Sequence, residues 1–261
     1  MGQNGRFFNV EIVPTIAGSK QLAAFTADDL LFDWTSFQVP KGASKLTAAT
    51  FKMSGANGGT QDGGKADVDL IFAKSINGVA PPTMGVINSS VTAAPAVKNH
   101  IIGMTRFTTG TDYGAEAFDY FAIANTGSGG NASNIPSVVL AGEANSGVNV
   151  GYDTLYIAGI AGNTGIDFGT TVLARGGEAA GVLVVETDKG SNDDPNADLI
   201  FAVGDVLHSG TDDVLGTIAS IAAFGSSKQD ITFEAVTPDV IADNEELLNI
   251  HPVQIILSFE R

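Results

Sequence analysis

The closing stretch Ile250-His-Pro-Val-Gln-Ile-Ile-Leu-Ser-Phe-Glu-Arg261 decides the fold. Val253, Ile255, Leu257 and Phe259 fall on one face, and Gln254, Ile256 and Ser258 on the other. A period of two is what a strand with one buried face requires. So apolar a strand is too strong to lie unpaired, since an open edge leaves backbone N–H and C=O groups unmatched. The same alternation recurs near the other end. In Phe7 to Val13, Phe8, Val10 and Ile12 oppose Asn9 and Glu11, and this segment is the expected neighbour of the closing strand. Lys45 to Met53 and Ala66 to Lys74 follow the pattern too, the second with Val68, Leu70 and Phe72 against Asp67, Asp69 and Ile71.

Between such segments lie clusters of glycine: Gly55-Ala-Asn-Gly-Gly, Gly63-Gly64, Gly127-Ser-Gly-Gly130 and Gly176-Gly177. They read as turn punctuation between short strands. Helical pattern is scarce. Two short helices are expected, one over Thr26-Ala-Asp-Asp-Leu-Leu with Thr26 as its cap, the other within Asp239 to Leu248. From Arg175 onward the segments Gly181-Val-Leu-Val-Val-Glu, Val203-Gly-Asp-Val-Leu-His, Val214-Leu-Gly-Thr-Ile-Ala-Ser-Ile and Gln229-Asp-Ile-Thr-Phe-Glu-Ala-Val are compact and tightly turned, as in a small curled barrel. The expected fold is therefore all-β. A jelly-roll or β-sandwich main domain takes residues 1–174 plus 249–261, a small β-barrel takes 175–248 as an insertion, and the C-terminal strand returns to the main domain.

Composition bounds the function. The 261 residues hold 44% hydrophobic and 16% charged side chains, enough to build a core and too apolar for wholesale disorder. No apolar run reaches the roughly 20 residues of a membrane-spanning helix. The opening Met1-Gly-Gln-Asn-Gly-Arg-Phe-Phe lacks the basic-then-apolar layout of a secretory leader. With no Cys, there are no disulfides, thiolate metal sites or Cys nucleophiles. Acidic residues outnumber basic ones by 29 to 13, for a formal charge of −16, which disfavours nucleic acid as a partner because phosphate binding needs clustered Lys and Arg.

Chemical motifs are few. Gly59-Thr-Gln-Asp-Gly-Gly64-Lys65 has phosphate-loop spacing, but Ala66 stands where Ser or Thr would hold Mg²⁺ and a strand follows, so a hairpin connection is expected. Asp188, Asn192, Asp193, Asp194 and Asp198, with Asn196, supply oxygen atoms suited to Ca²⁺ without the EF-hand spacing; a solvated loop is the competing reading. His100, His208 and His251 form no ligand pair, so each is expected to be a structural, hydrogen-bonded histidine. Trp34 reads as core, and Tyr113 with Tyr120 is the one grouping suited to glycan contact, a packed loop and strand being the competing reading of that stretch. The match between Asp69-Leu-Ile-Phe-Ala73 and Asp198-Leu-Ile-Phe-Ala202 is short enough to be chance. No nucleophile elbow and no marked carboxylate pair appears, so no enzyme and no cofactor are expected.

Three longer phrases carry a resemblance: Leu31-Phe-Asp-Trp-Thr-Ser-Phe-Gln-Val-Pro-Lys-Gly42, Asp69 to Gly85, and Asn149-Val-Gly-Tyr-Asp-Thr-Leu-Tyr-Ile-Ala-Gly159. Together they resemble virion structural proteins of tailed phages, particularly those of marine and cyanobacterial hosts. Val203-Gly-Asp-Val, Leu215-Gly-Thr-Ile-Ala-Ser-Ile and Ile231-Thr-Phe are similar to the small β-barrel inserts of such proteins. The resemblance implies a jelly-roll-like body and a place in the virion, assembled in the host cytoplasm. Capsid decoration or cementing is the expected role, with the major capsid protein or other virion neighbours as partners, a homotrimeric state, and neither membrane nor nucleic acid bound. A tail or fibre component contacting host glycans is the alternative.

Overall fold

The two ends of the chain lie side by side. A computed structural model describes residues 7–53, 67–108, 121–125, 138–143, 152–168, 172–188, 197–223 and 228–261. Its strands in chain order are β1 (Phe7–Ile12), β2 (Leu30–Pro40), β3 (Ser44–Met53), β4 (Val68–Lys74), β5 (Ile101–Phe107), β6 (Phe121–Asn125) and β7 (Val139–Leu140). They continue with β8 (Tyr152–Ala161), β9 (Val184–Asp188), β10 (Val206–Ser209), β11 (Val214–Ile221), β12 (Lys228–Phe233), β13 (Leu247–Asn249) and β14 (Val253–Glu260). β14 sits between β1 and β3, antiparallel to both, with Phe8 opposite Phe259 and Phe51 opposite Ile255. The fold is all-β, as its alternating segments require.

Two sheets form a sandwich. One has the order β1-β14-β3-β6, with β7 also paired to β3; the other has the order β2-β8-β4-β5. Inward side chains of both meet in one core, including Leu46, Phe51, Ile255, Leu257 and Phe259 from the first sheet and Phe37, Leu70, Phe72, Phe107 and Ile157 from the second. Aromatic pairs bridge the gap: Phe51 and Phe107 lie 5.6 Å apart between ring centroids, Phe37 and Phe259 6.5 Å. Phe259 also stacks on Phe8 at 5.3 Å, so one fully buried ring joins three strands. Burying such a side chain is worth about 1.5–3 kcal/mol before any cavity cost.

β8 departs from alternation because it is covered on both faces. Beyond the sandwich core, Ala158 joins Leu30, Met84 and Val97 in a second layer, with Trp34, Ile71 and Ile87 packed against it. The segment joining β4 to β5 forms this cover. Trp34 is therefore half-buried under it, and its indole N–H donates to the Pro82 carbonyl at 2.8 Å. Gly159 of β8 faces Phe32 of β2, whose ring occupies the space a Cβ would need.

The other five strands follow the order β13-β10-β11-β12-β9. Residues 172–175 close this sheet by bonding to both edges. Leu247 N–H donates to Val172 O and Ala174 N–H to Glu245 O on one side; Arg175 N–H donates to Glu186 O and Asp188 N–H to Leu173 O on the other. The interior holds Val185, Leu207, Leu215, Ile218, Ile231, Phe233 and Leu247. One short helix, α1 (Ala197–Ile200), adds Ile200, followed by Phe201.

Both expected helices are absent, and their polar residues shape turns instead. Asp29 accepts from the N–H and the hydroxyl of Thr26 at 2.7 and 2.8 Å; Asp28 takes a positive φ of 68°, and Leu30 and Leu31 enter β2. In the Asp239 to Leu248 stretch, Ile241 bonds Glu178, Glu245 accepts from the Ala242 N–H, Asn244 takes φ 62°, and Leu247 and Leu248 enter β13. Pairing with distant strands outweighs a weak local propensity. The repeated pentapeptide also splits: Asp69 to Ala73 lies in β4, whereas Asp198 starts in α1. The Gly-rich stretch 59–65 lies outside the described residues.

Replacing Phe259 by Ala should lower unfolding free energy by about 3–5 kcal/mol, the range for truncating a fully buried Phe. Urea or thermal unfolding measures this, and a loss near zero would contradict the central place given to that ring.

Candidate functional site

The sandwich and the barrel meet along residues 13–21, which leave β1 and run across β10 and β13. Ile16 N–H donates to Ile250 O at 2.9 Å, and Ile250 N–H in turn donates to Val206 O at 3.0 Å. Gln21, wholly buried, spans the join: its amide donates to Ile16 O at 2.7 Å and to Asn249 O at 2.9 Å. Ser19 N–H donates to the Asp212 carboxylate at 2.6 Å. Gly18 is obligatory because a Cβ there would collide with the Ser209 carbonyl. Buried, specific polar bonds of this kind fix the angle between two bodies more than they add stability.

Beside this seam lies a cleft of about 380 Å³. Val13, Met53, Ile200, Val206 and Pro252 give it apolar walls; Lys52, Asp205, Asn249, His251 and Gln254 give it polar ones. The polar groups are largely committed to one another. Lys52 Nζ donates to Gln254 Oε1 at 2.8 Å, and the Gln254 amide donates to Glu11. Asp205 accepts from the Ala202 N–H at 2.9 Å and is bonded by the Asn249 side chain. His251 Nδ1–H donates to Pro14 O at 3.2 Å. Burial raises the Asp205 pKa above the ordinary carboxylate value, partly offset by those bonds and by nearby His251. An interlocked set like this braces the join and does not converge on a reacting atom.

The three histidines part company. His100 Nδ1 bonds the Lys74 carbonyl at 2.8 Å and His251 bonds Pro14, as structural histidines do. His208, buried on β10, has no hydrogen-bond partner at either ring nitrogen. Its pKa is lowered by burial, with His251 adding to the effect and Asp212 and Asp213 opposing it. The sequence offered no signal for this: an outward position on a strand becomes dry only because the rest of the fold covers it.

Of the residues considered for Ca²⁺, Asp188 sits at the end of β9 with its carboxylate 3.6 Å from Arg175 Nε, and Asp198 is exposed in the first turn of α1. Asn192, Asp193, Asp194 and Asn196 lie outside the described residues, as do Tyr113 and Tyr120. Among the described residues, no three of His, Asp or Glu come together as a metal site would need. No described helix is long and apolar enough to cross a membrane. No protein-family model, curated protein or solved structure matches the chain.

The His208 shift has a definite sign. A histidine whose folded pKa is depressed contributes stability above its unfolded value, near 6.5, and loses it as the pH falls toward the folded value. His208 should therefore contribute a decline in thermal stability as the pH falls from about 7 to about 5, opposed by Asp205, whose raised pKa acts in the other direction. His208→Leu, which fills the space and cannot titrate, should flatten that decline. Melting curves at both pH values test this, and an unchanged pH dependence in the variant would refute it.

Proposed function

We propose that the protein is a non-catalytic structural component of a tailed-phage virion, a decoration or cement protein on the outside of the capsid. The observation that carries this reading is the build of the molecule: a sandwich whose first and last strands pair, braced to a closed barrel by interlocked buried bonds. Two β-bodies held at a fixed angle suit a protein that must bridge neighbouring subunits repeatedly and in one geometry. Many modest contacts multiplied by particle symmetry then resist internal pressure. The sequence phrases that resemble virion proteins point the same way.

The charge of −16 supports an outward position, since packaged DNA would repel an acidic layer placed against it. The partners in this reading are major capsid protein subunits. Self-association as a cyclic homotrimer would run through sheet edges, of which β1 and β5 are two among the described strands.

Electron microscopy and quantitative protein analysis of purified particles test the proposal. The expected result is density on the outer capsid surface at a copy number that scales with the major capsid protein. A few copies confined to the tail would overturn the capsid role, and absence from particles would overturn the whole reading.

A further inference from the structure

One end of the barrel presents apolar side chains that its fold leaves outside. Residues 178–184 and 233–241 run together there. Glu178 and Ile241 exchange backbone bonds at 2.8 and 2.9 Å, Gly181 N–H donates to Thr237 O, Thr237 N–H to Val182 O, and Phe233 N–H to Leu183 O. Phe233 and Ile241 turn into the barrel core. Several large apolar residues turn away from it: Leu183 is 45% exposed, Val184 39%, Val236 57% and Val240 65%. Ala235 and Pro238, also exposed, continue the same surface. Four large aliphatic side chains on adjoining, mutually bonded segments make a patch, and contiguous exposed patches mark interaction surfaces where scattered ones do not.

Its border is predominantly acidic. Glu178, Glu234 and Asp239 lie on the same segments, and the two cations at their margins among the described residues are each held by carboxylates, Arg175 by Asp188 and Lys228 by Glu186 and Asp230. A second copy docked here would set carboxylates against carboxylates, and an anionic lipid surface would be repelled likewise. An apolar centre with a charged rim matches the usual anatomy of a protein interface. We infer that this end of the barrel docks onto a partner protein that presents an apolar patch bordered by Lys and Arg. On the function proposed above, on which the partner's identity rests, that protein is a capsid subunit.

The test is binding of purified protein to otherwise complete particles that lack it. Val236→Asp with Val240→Asp, both at exposed positions, should leave the melting temperature near that of the unaltered protein and weaken particle binding by at least about tenfold. Glu234→Lys with Asp239→Lys should also weaken it, and binding of the unaltered protein should fall as salt rises. Undiminished binding by both variants would overturn this surface while leaving the capsid role intact. If the unaltered protein does not bind particles at all, the capsid role fails as well. Dissociation of a homo-oligomer by the Val236 and Val240 substitutions would instead assign the patch to a second copy and overturn the basic partner.

Discussion

The structure depends on β14 being inserted between β1 and β3. Its four inward residues, Val253, Ile255, Leu257 and Phe259, are fully buried, and its backbone is bonded on both sides. Without it, β1 would have no hydrogen-bonded neighbour among the described strands, and the sandwich core would open along Phe259. The strand also fixes the barrel. The chain enters β14 from Asn249, Ile250 and His251, so the residues that anchor the closing strand are the same ones that Ile16, Gln21 and Pro14 hold.

That economy explains the character of the seam. Bonds across it run to backbone carbonyls from a buried glutamine amide, a backbone N–H and an imidazole, and from the Ser19 N–H to the Asp212 carboxylate, groups that demand particular directions. A purely apolar contact would tolerate sliding. This one does not, and the unpartnered His208 nearby shows that the covering of the join takes precedence over satisfying every polar atom. Such a group lowers stability by leaving hydrogen-bonding capacity unused in a dry place.

Strands with one solvated face were legible from sequence because burial and alternation coincide there: β1, β3, β4 and β14 lie where the pattern put them, within a residue or two. β8 was harder, since residues 155–159 are buried in succession and lose the alternating signature. The short segments around Asp28 and Asn244 misled because Asp, Asn, Thr and Glu favour helix starts and tight turns alike, and only distant pairing partners choose between them. Gln21 and Gly18 carried no sequence signal, for their partners, Asn249 and Ser209, lie about two hundred positions further along the chain. The exposed valines of the barrel end were hidden in the same way. In a strand pattern, an outward Val and an inward Val look alike.

The place of β14 also sets an order of events in time. Residues 172–249 contain every strand of the barrel sheet, so that sheet has all its pairing partners before β14 leaves the ribosome. β1 must wait through nearly the whole of synthesis for its neighbour, and long-range pairing of this kind is slow and exposed to misassociation. Until then the inner faces of β1 and β3, with Phe8 and Phe51, lie open. The acidic surface has a second use in that interval, because like-charged chains emerging close together repel one another while the sandwich is unfinished.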